Sequence, residues 1–213
     1  MSKIIKINKL FEKQVELYPN KIAIIDKDKK ITYEELNGMA NQLAHVISNQ
    51  GVKPGDLVPL FVEKNIDTFI AILSILKTGA AFFLFNPEQL EKSPYPILET
   101  IQAKYIVSQS NLLNHFKNYS GVIINLSNLP LILSDISEKL MPVIEEGDQD
   151  MAYGILTSGT TGNPKYVVIT HQNLLDTYYS WESVYQLSQN DVHLQMAALG
   201  FDVFVGDWVL KQT

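Results

Sequence analysis

Most of the chemistry legible in this sequence sits in nine consecutive residues, Thr157-Ser158-Gly159-Thr160-Thr161-Gly162-Asn163-Pro164-Lys165. Two glycines let the backbone turn sharply and approach a ligand. The hydroxyls of Thr157, Ser158, Thr160 and Thr161 can donate hydrogen bonds, and the free amides of such a turn form an anion-binding concavity to which Lys165 adds a positive charge. A polyphosphate suits these groups. The spacing is not that of a Walker loop, because Gly159 and Gly162 stand too close together and Asn163-Pro164 separates Lys165 from Gly162. A P-loop kinase is therefore disfavoured, and on composition alone an ordinary surface turn is the commoner reading of such a stretch.

The remaining candidates are single residues. Asp202, between Phe201 and Val203, read alone would cap a helix starting near residue 203. His171 follows Thr170, an N-cap for a helix with Leu174, Tyr178, Trp181 and Tyr185 on one face. These aromatics read as core, and His171 as a helix-start residue more than a catalytic base. His45, His115 and His193 have no metal-ligand spacing with one another or with carboxylates, so a metal cage is not expected.

Composition restricts the function classes. The chain has 213 residues, 46% hydrophobic and 19% charged, which fits a packed globular protein and not a disordered one. Seventeen Lys and Arg against 23 Asp and Glu give a net charge of −6, and no basic run alternates with aromatics, so a nucleic-acid partner is not expected. The absence of cysteine excludes disulfides and thiolate metal sites. Lys and Asn interrupt the apolar residues of MSKIIKINKLFEKQ before a secretory core can form, and no segment has the length of a membrane span. A cytoplasmic protein without a membrane partner is the expectation.

The elements that must position the loop follow from patterning. Ile7, Leu10, Phe11, Val15 and Leu17 predict a helix that ends at Tyr18-Pro19-Asn20, before a strand from Ile22 to Ile25. A polar turn, Asp26 to Lys30, leads to Thr32-Tyr33-Glu34-Glu35, a capping box opening a helix that turns Leu36, Ala40, Leu43 and Ile47 inward and stops at Gly51. Leu57 to Val62 reads as a strand, Ile66 to Leu76 as a helix ended by Gly79, and Ala80 to Phe85, Lys104 to Val107 and Val122 to Asn125 as further strands. Short apolar runs alternating with helices predict an α/β fold whose parallel sheet is covered on both faces. The strand order is not readable, and the acidic stretch from 134 to 150 reads as a solvated connection.

The string from Thr157 to Lys165 resembles the TSGTTGxPKG pattern of the adenylate-forming superfamily, which joins acyl- and aryl-CoA ligases, luciferases and peptide-synthetase adenylation domains. ITYEELNGMANQLAHVI, GVKPGDLVPLFVEKN, LKTGAAFFLFNPE and PILETIQAKYIVSQ resemble that family's earlier segments, in the same order and over nearly the whole chain. FDVFVGD, residues 201 to 207, resembles the FDxS-type motif of amino-acid-activating members. The resemblance implies a layered α/β N-terminal subdomain of the adenylate-forming fold, with residues 1–213 the N-terminal portion of a nonribosomal peptide synthetase adenylation domain. By that resemblance Thr157, Ser158, Gly159, Thr160, Thr161, Gly162 and Lys165 bind the phosphates of ATP, which arrives with Mg²⁺. Asp202 receives the substrate α-ammonium, and Val203 and Gly206 line the side-chain pocket. The implied reaction makes an aminoacyl-adenylate for loading onto a carrier protein, in concert with the remaining synthetase domains.

Two departures from the family pattern carry expectations. Tyr166 stands where the family has Gly, so altered nucleotide handling is expected; Ala80, Ala81, Leu84 and Asn86 also depart from the usual choices. The later family motifs are absent, so the chain reads as incomplete and inactive alone, with a complementary C-terminal fragment as a possible partner. Phe204, Val205, Trp208, Val209 and Leu210 read as a helix left uncovered. The rival readings are a non-catalytic remnant or interaction module, and an acyl-CoA ligase of the same superfamily.

Overall fold

The computed structural model describes residues 5–85, 93–129, 133, 150–157, 165–186, 188 and 190–209. The acidic stretch from 134 to 149 and Asn86 lie outside them, as do Ser158, Gly159, Thr160, Thr161 and Gly162.

Helix α1 (Ile7–Leu17) buries Ile7 and Phe11. Leu17, expected on the same face, is exposed, because the tenth residue after Ile7 has rotated off the buried stripe. Strand β1 (Ile22–Asp26) pairs antiparallel with β2 (Lys29–Thr32), where the sequence predicts only a turn. Only Ile31 of β2 is buried, so its polar composition gave no strand signal.

Helix α2 (Tyr33–Asn49) begins at the expected capping box: the Glu35 amide donates to Thr32 Oγ1 at 3.2 Å, and the Thr32 amide to Glu35 Oε2 at 2.8 Å. Leu36, Ala40, Leu43 and Ile47 are fully buried. Gly51, at φ 99°, supplies the left-handed conformation beyond the helix end. Helix α3 (Ile66–Lys77) starts at Asn65, whose side chain accepts from the Thr68 amide, and is buried from Thr68 to Lys77.

Six strands form the main sheet. In chain order they are β3 (Leu57–Phe61), β4 (Ala81–Leu84), β5 (Tyr105–Ser108), β6 (Val122–Asn125), β7 (Met151–Thr157) and β8 (Lys165–Thr170); across the sheet they run β6-β5-β3-β4-β7-β8. All pairings are parallel except β7 with β8. Successive residues face opposite sides. Phe82 and Leu84 join the larger core with α1, α2 and α3, whereas Phe61, Phe83 and Phe85 pack with Leu98 of α4 (Tyr95–Thr100) and with Phe116. Both faces being covered explains why these strands are continuously apolar.

Helix α5 (His171–Tyr185) opens at Thr170, whose hydroxyl accepts from the Asn173 amide at 3.1 Å. Leu174 and Tyr178 are buried as expected, but Tyr185 is 66% exposed, since the last turn of α5 runs past the core. Helix α6 (Asp202–Val209) packs back on the core: Phe204 and Val205 are buried, and Phe204 stacks on Phe69 of α3 with ring centroids 5.7 Å apart. The expectation of an uncovered helix is corrected for these two residues, because α3 supplies the cover that sequence order hid.

Candidate functional site

Strand β7 is parallel to β4, so Thr157 ends at the carboxyl edge of the parallel sheet, where open α/β sheets bind their ligands. The chain returns as β8, with Thr157 opposite Lys165 and the Thr157 hydroxyl donating to the Lys165 carbonyl at 3.3 Å. The two ends of the Ser/Thr/Gly loop are therefore clamped together as a hairpin mouth. Lys165 is exposed beside that mouth.

Tyr166 lies in β8 opposite Leu156, with its side chain 41% exposed. It is not among the positive-φ residues, so this position makes no demand for glycine on backbone grounds. Any effect of Tyr166 on a ligand must come from its side chain.

Strand β7 owes its close fit to Gly154. A Cβ there would lie 2.5 Å from Cδ2 of Phe83, which is fully buried. Gly154→Ala is expected to destabilise the chain by about 1–3 kcal/mol through overpacking. Urea unfolding would read this as a lower midpoint at unchanged slope; an unshifted midpoint would contradict it.

Asp202 is the first residue of α6 and is exposed, its Oδ1 accepting from the Val203 amide at 2.9 Å. A carboxylate suits the positive end of the helix dipole, as the helix-start reading expects. Its charge also reaches β7. Burial, with Asp202 adding to it, pushes the Tyr153 hydroxyl up to about 12. Tyr153 stays a neutral donor at physiological pH and stacks on Phe82 at 5.5 Å. Sequence patterning gave no hint of this neighbour.

Val203 is exposed on α6. Gly206 faces α5, where a Cβ would stand 2.7 Å from Cη2 of Trp181. The volume freed by the missing side chain is thus filled by an indole, so Trp181 joins the surroundings of Gly206. In the sequence it read only as core.

His171 is buried at the start of α5, and its Nδ1 accepts from the Ile7 amide at 3.2 Å. It carries a structural link between α1 and α5.

The cleft of about 670 Å³ between β1, Asn65, Phe69 and residues 190–195 lies elsewhere. Neither Thr157, Lys165, Asp202, Val203 nor Gly206 lines it. Among the described residues no helix is long and apolar enough to cross a membrane.

Comparison with known proteins gives a consistent picture. The family model described as AMP-binding enzyme matches residues 11–210. Gramicidin S synthase 2 of Brevibacillus brevis is 37% identical over 202 residues, covering 94% of this chain and 4% of the synthase. Gramicidin S synthase 1 of the same organism is 34% identical over 209 residues, covering 93% of this chain and 18% of the synthase. The chain thus spans under a fifth of these relatives. The Klebsiella oxytoca NpsA N-terminal subdomain, solved with 3-hydroxybenzoyl-AMSN, shares the fold with a TM-score of 0.84 at 23% identity, over 99% of this chain and 52% of that one.

Proposed function

The chain belongs to the AMP-binding enzyme family, and from that membership we propose that it forms the phosphate-binding and amine-recognising part of an amino-acid-activating adenylation domain. The observation that carries this reading is the hairpin mouth at the carboxyl edge of the sheet, closed by Thr157 and Lys165, with Asp202 acting electrically on the same strand at Tyr153. Tyr153 lies roughly 13 Å before Thr157 along β7, so the charge of Asp202 at the start of α6 bears on the strand that leads into the loop.

In this reading the residues from Thr157 to Lys165 hold the triphosphate of ATP, with Mg²⁺ entering on the phosphates. Asp202 takes the α-ammonium of the amino acid and so presents its carboxylate to the α-phosphorus. Carboxylate oxygen attacks there, the bond to the bridging oxygen breaks, and pyrophosphate leaves with an aminoacyl-adenylate formed. What the protein contributes is positioning and charge neutralisation. The adenylate would then pass to the phosphopantetheine thiol of a carrier protein. Complete turnover draws on the rest of the synthetase, and the isolated chain is expected to show no amino-acid-dependent pyrophosphate exchange.

The test is binding by the 213-residue chain. A nonhydrolysable ATP analogue should slow amide exchange across residues 157–165. Asp202→Ala should weaken amino-acid binding about tenfold to a hundredfold while sparing the analogue, the worth of a charge-assisted pair being about 1.5–3 kcal/mol. Absent loop protection would favour the non-catalytic reading. Equal binding of an acid lacking the α-amine would favour a CoA ligase.

A further inference from the structure

Residues 190–197 leave α5 and lead toward α6 without joining either sheet. Val192, Leu194 and Met196 are 80%, 75% and 75% exposed, so this stretch has little apolar burial to hold it. None of the described backbone hydrogen bonds uses the carbonyls of Gln195, Met196 or Ala197. They converge instead on one atom: Lys64 Nζ donates to them at 3.2, 3.4 and 3.2 Å. An ammonium is the side-chain group that offers three donors from a single centre.

Lys64 stands on a fixed base. The Glu63 amide donates to Gln109 Oε1 at 2.8 Å, the Glu63 carbonyl accepts from the Thr68 hydroxyl at 2.6 Å, and Asn65 caps α3 directly after it. On its other side the segment is tied to α6. Gln195 Nε2 donates to the Phe204 carbonyl at 3.2 Å, and His193 Nε2 lies 3.2 Å from Asp207 Oδ1. A continuous path of hydrogen bonds therefore runs from the β3–α3 junction, through Lys64 and residues 193–197, into the helix that Asp202 begins.

We propose that Lys64 is a positioning residue for α6: by gathering three consecutive carbonyls it fixes where Asp202 stands relative to β7. It acts through the segment it holds. This inference rests on the reading of Asp202 as the amine receptor and extends it to the group that sets its place.

The experiment compares wild type, Lys64→Met and Lys64→Arg in the 213-residue chain. Hydrogen exchange in Lys64→Met should quicken at least tenfold in α6, at the amides from 203 to 207, and stay unchanged in α2 and the N-terminal half of β3. For the standard amino acid that binds wild type best, Lys64→Met should weaken binding about tenfold and leave a nonhydrolysable ATP analogue unaffected. Lys64→Arg, which keeps the charge and several donors, should recover most of both effects. Unchanged exchange over 203–207 would overturn the proposal, as would faster exchange with undiminished amino-acid affinity, or equal weakening for both ligands. If wild type binds no amino acid, the substrate reading fails on its own, and the exchange pattern alone then decides whether Lys64 holds α6.

Discussion

Glu12→Ala is expected to lower the stability of the chain by about 3–5 kcal/mol, the range for removing one partner of a buried ion pair. Lys77, at the end of α3, is fully buried, and its Nζ lies 2.7 Å from Glu12 Oε1. Glu12 is 20% exposed and also meets Lys9 at 2.6 Å. Burial pulls the Lys77 ammonium below its usual range, and the Glu12 carboxylate opposes that shift. On Glu12 burial pushes upward, but the two lysines outweigh it and hold the carboxyl below its ordinary value. Deleting the carboxylate strips Lys77 of the charge that offsets its desolvation.

Lys77→Met should cost much less than Glu12→Ala, since an apolar side chain of similar length fills the site and Glu12 keeps its partial solvent exposure and Lys9. Urea midpoints of the two single variants and the double variant close the cycle. A loss below about 1 kcal/mol for Glu12→Ala would show that the pair does not carry this energy.

Lowering the pH from 6.5 to 4 should remove about 3 kcal/mol of stability through His171 alone. Burial, with a smaller push from Lys6, depresses its pKa to about 4. An unfolded histidine titrates near 6.5, so between these values the unfolded chain holds a proton that the folded chain refuses. Stability is therefore complete above about pH 6.5 and declines as pH falls through the window. The geometry gives the same sign: Nδ1 accepts from the Ile7 amide, and a proton there would cancel the bond and place a charge in the core.

His171→Asn keeps an acceptor near the position of Nδ1 and cannot titrate. Denaturant unfolding at several pH values should show a flatter decline for the variant, even where its stability at neutral pH is lower. Carboxylates titrate in both proteins, so the difference between the two curves isolates His171. Parallel curves would refute the assignment.

Sequence sufficed where the determining interactions are local. The capping box at Thr32, the helix stops at Gly51 and Gly79, the strand beginning at Leu57 and the strand at 122–125 are each fixed by neighbours within a few residues, and all are found. Strand β2 escaped because hairpin pairing stabilises a polar segment that burial does not mark. The ordered string from Thr157 to Lys165 and the FDVFVGD segment named the family because they are contiguous.

What the amino-acid order determined by itself is the class of fold and the family, both written in short-range spacing. Only tertiary structure set β7 between β4 and β8, brought Phe69 over Phe204, Trp181 against Gly206 and Lys64 beneath residues 195–197. The physical reason is that these partners lie up to about 135 positions apart and meet through close packing and hydrogen bonding of the folded chain, neither of which leaves a periodic trace in sequence.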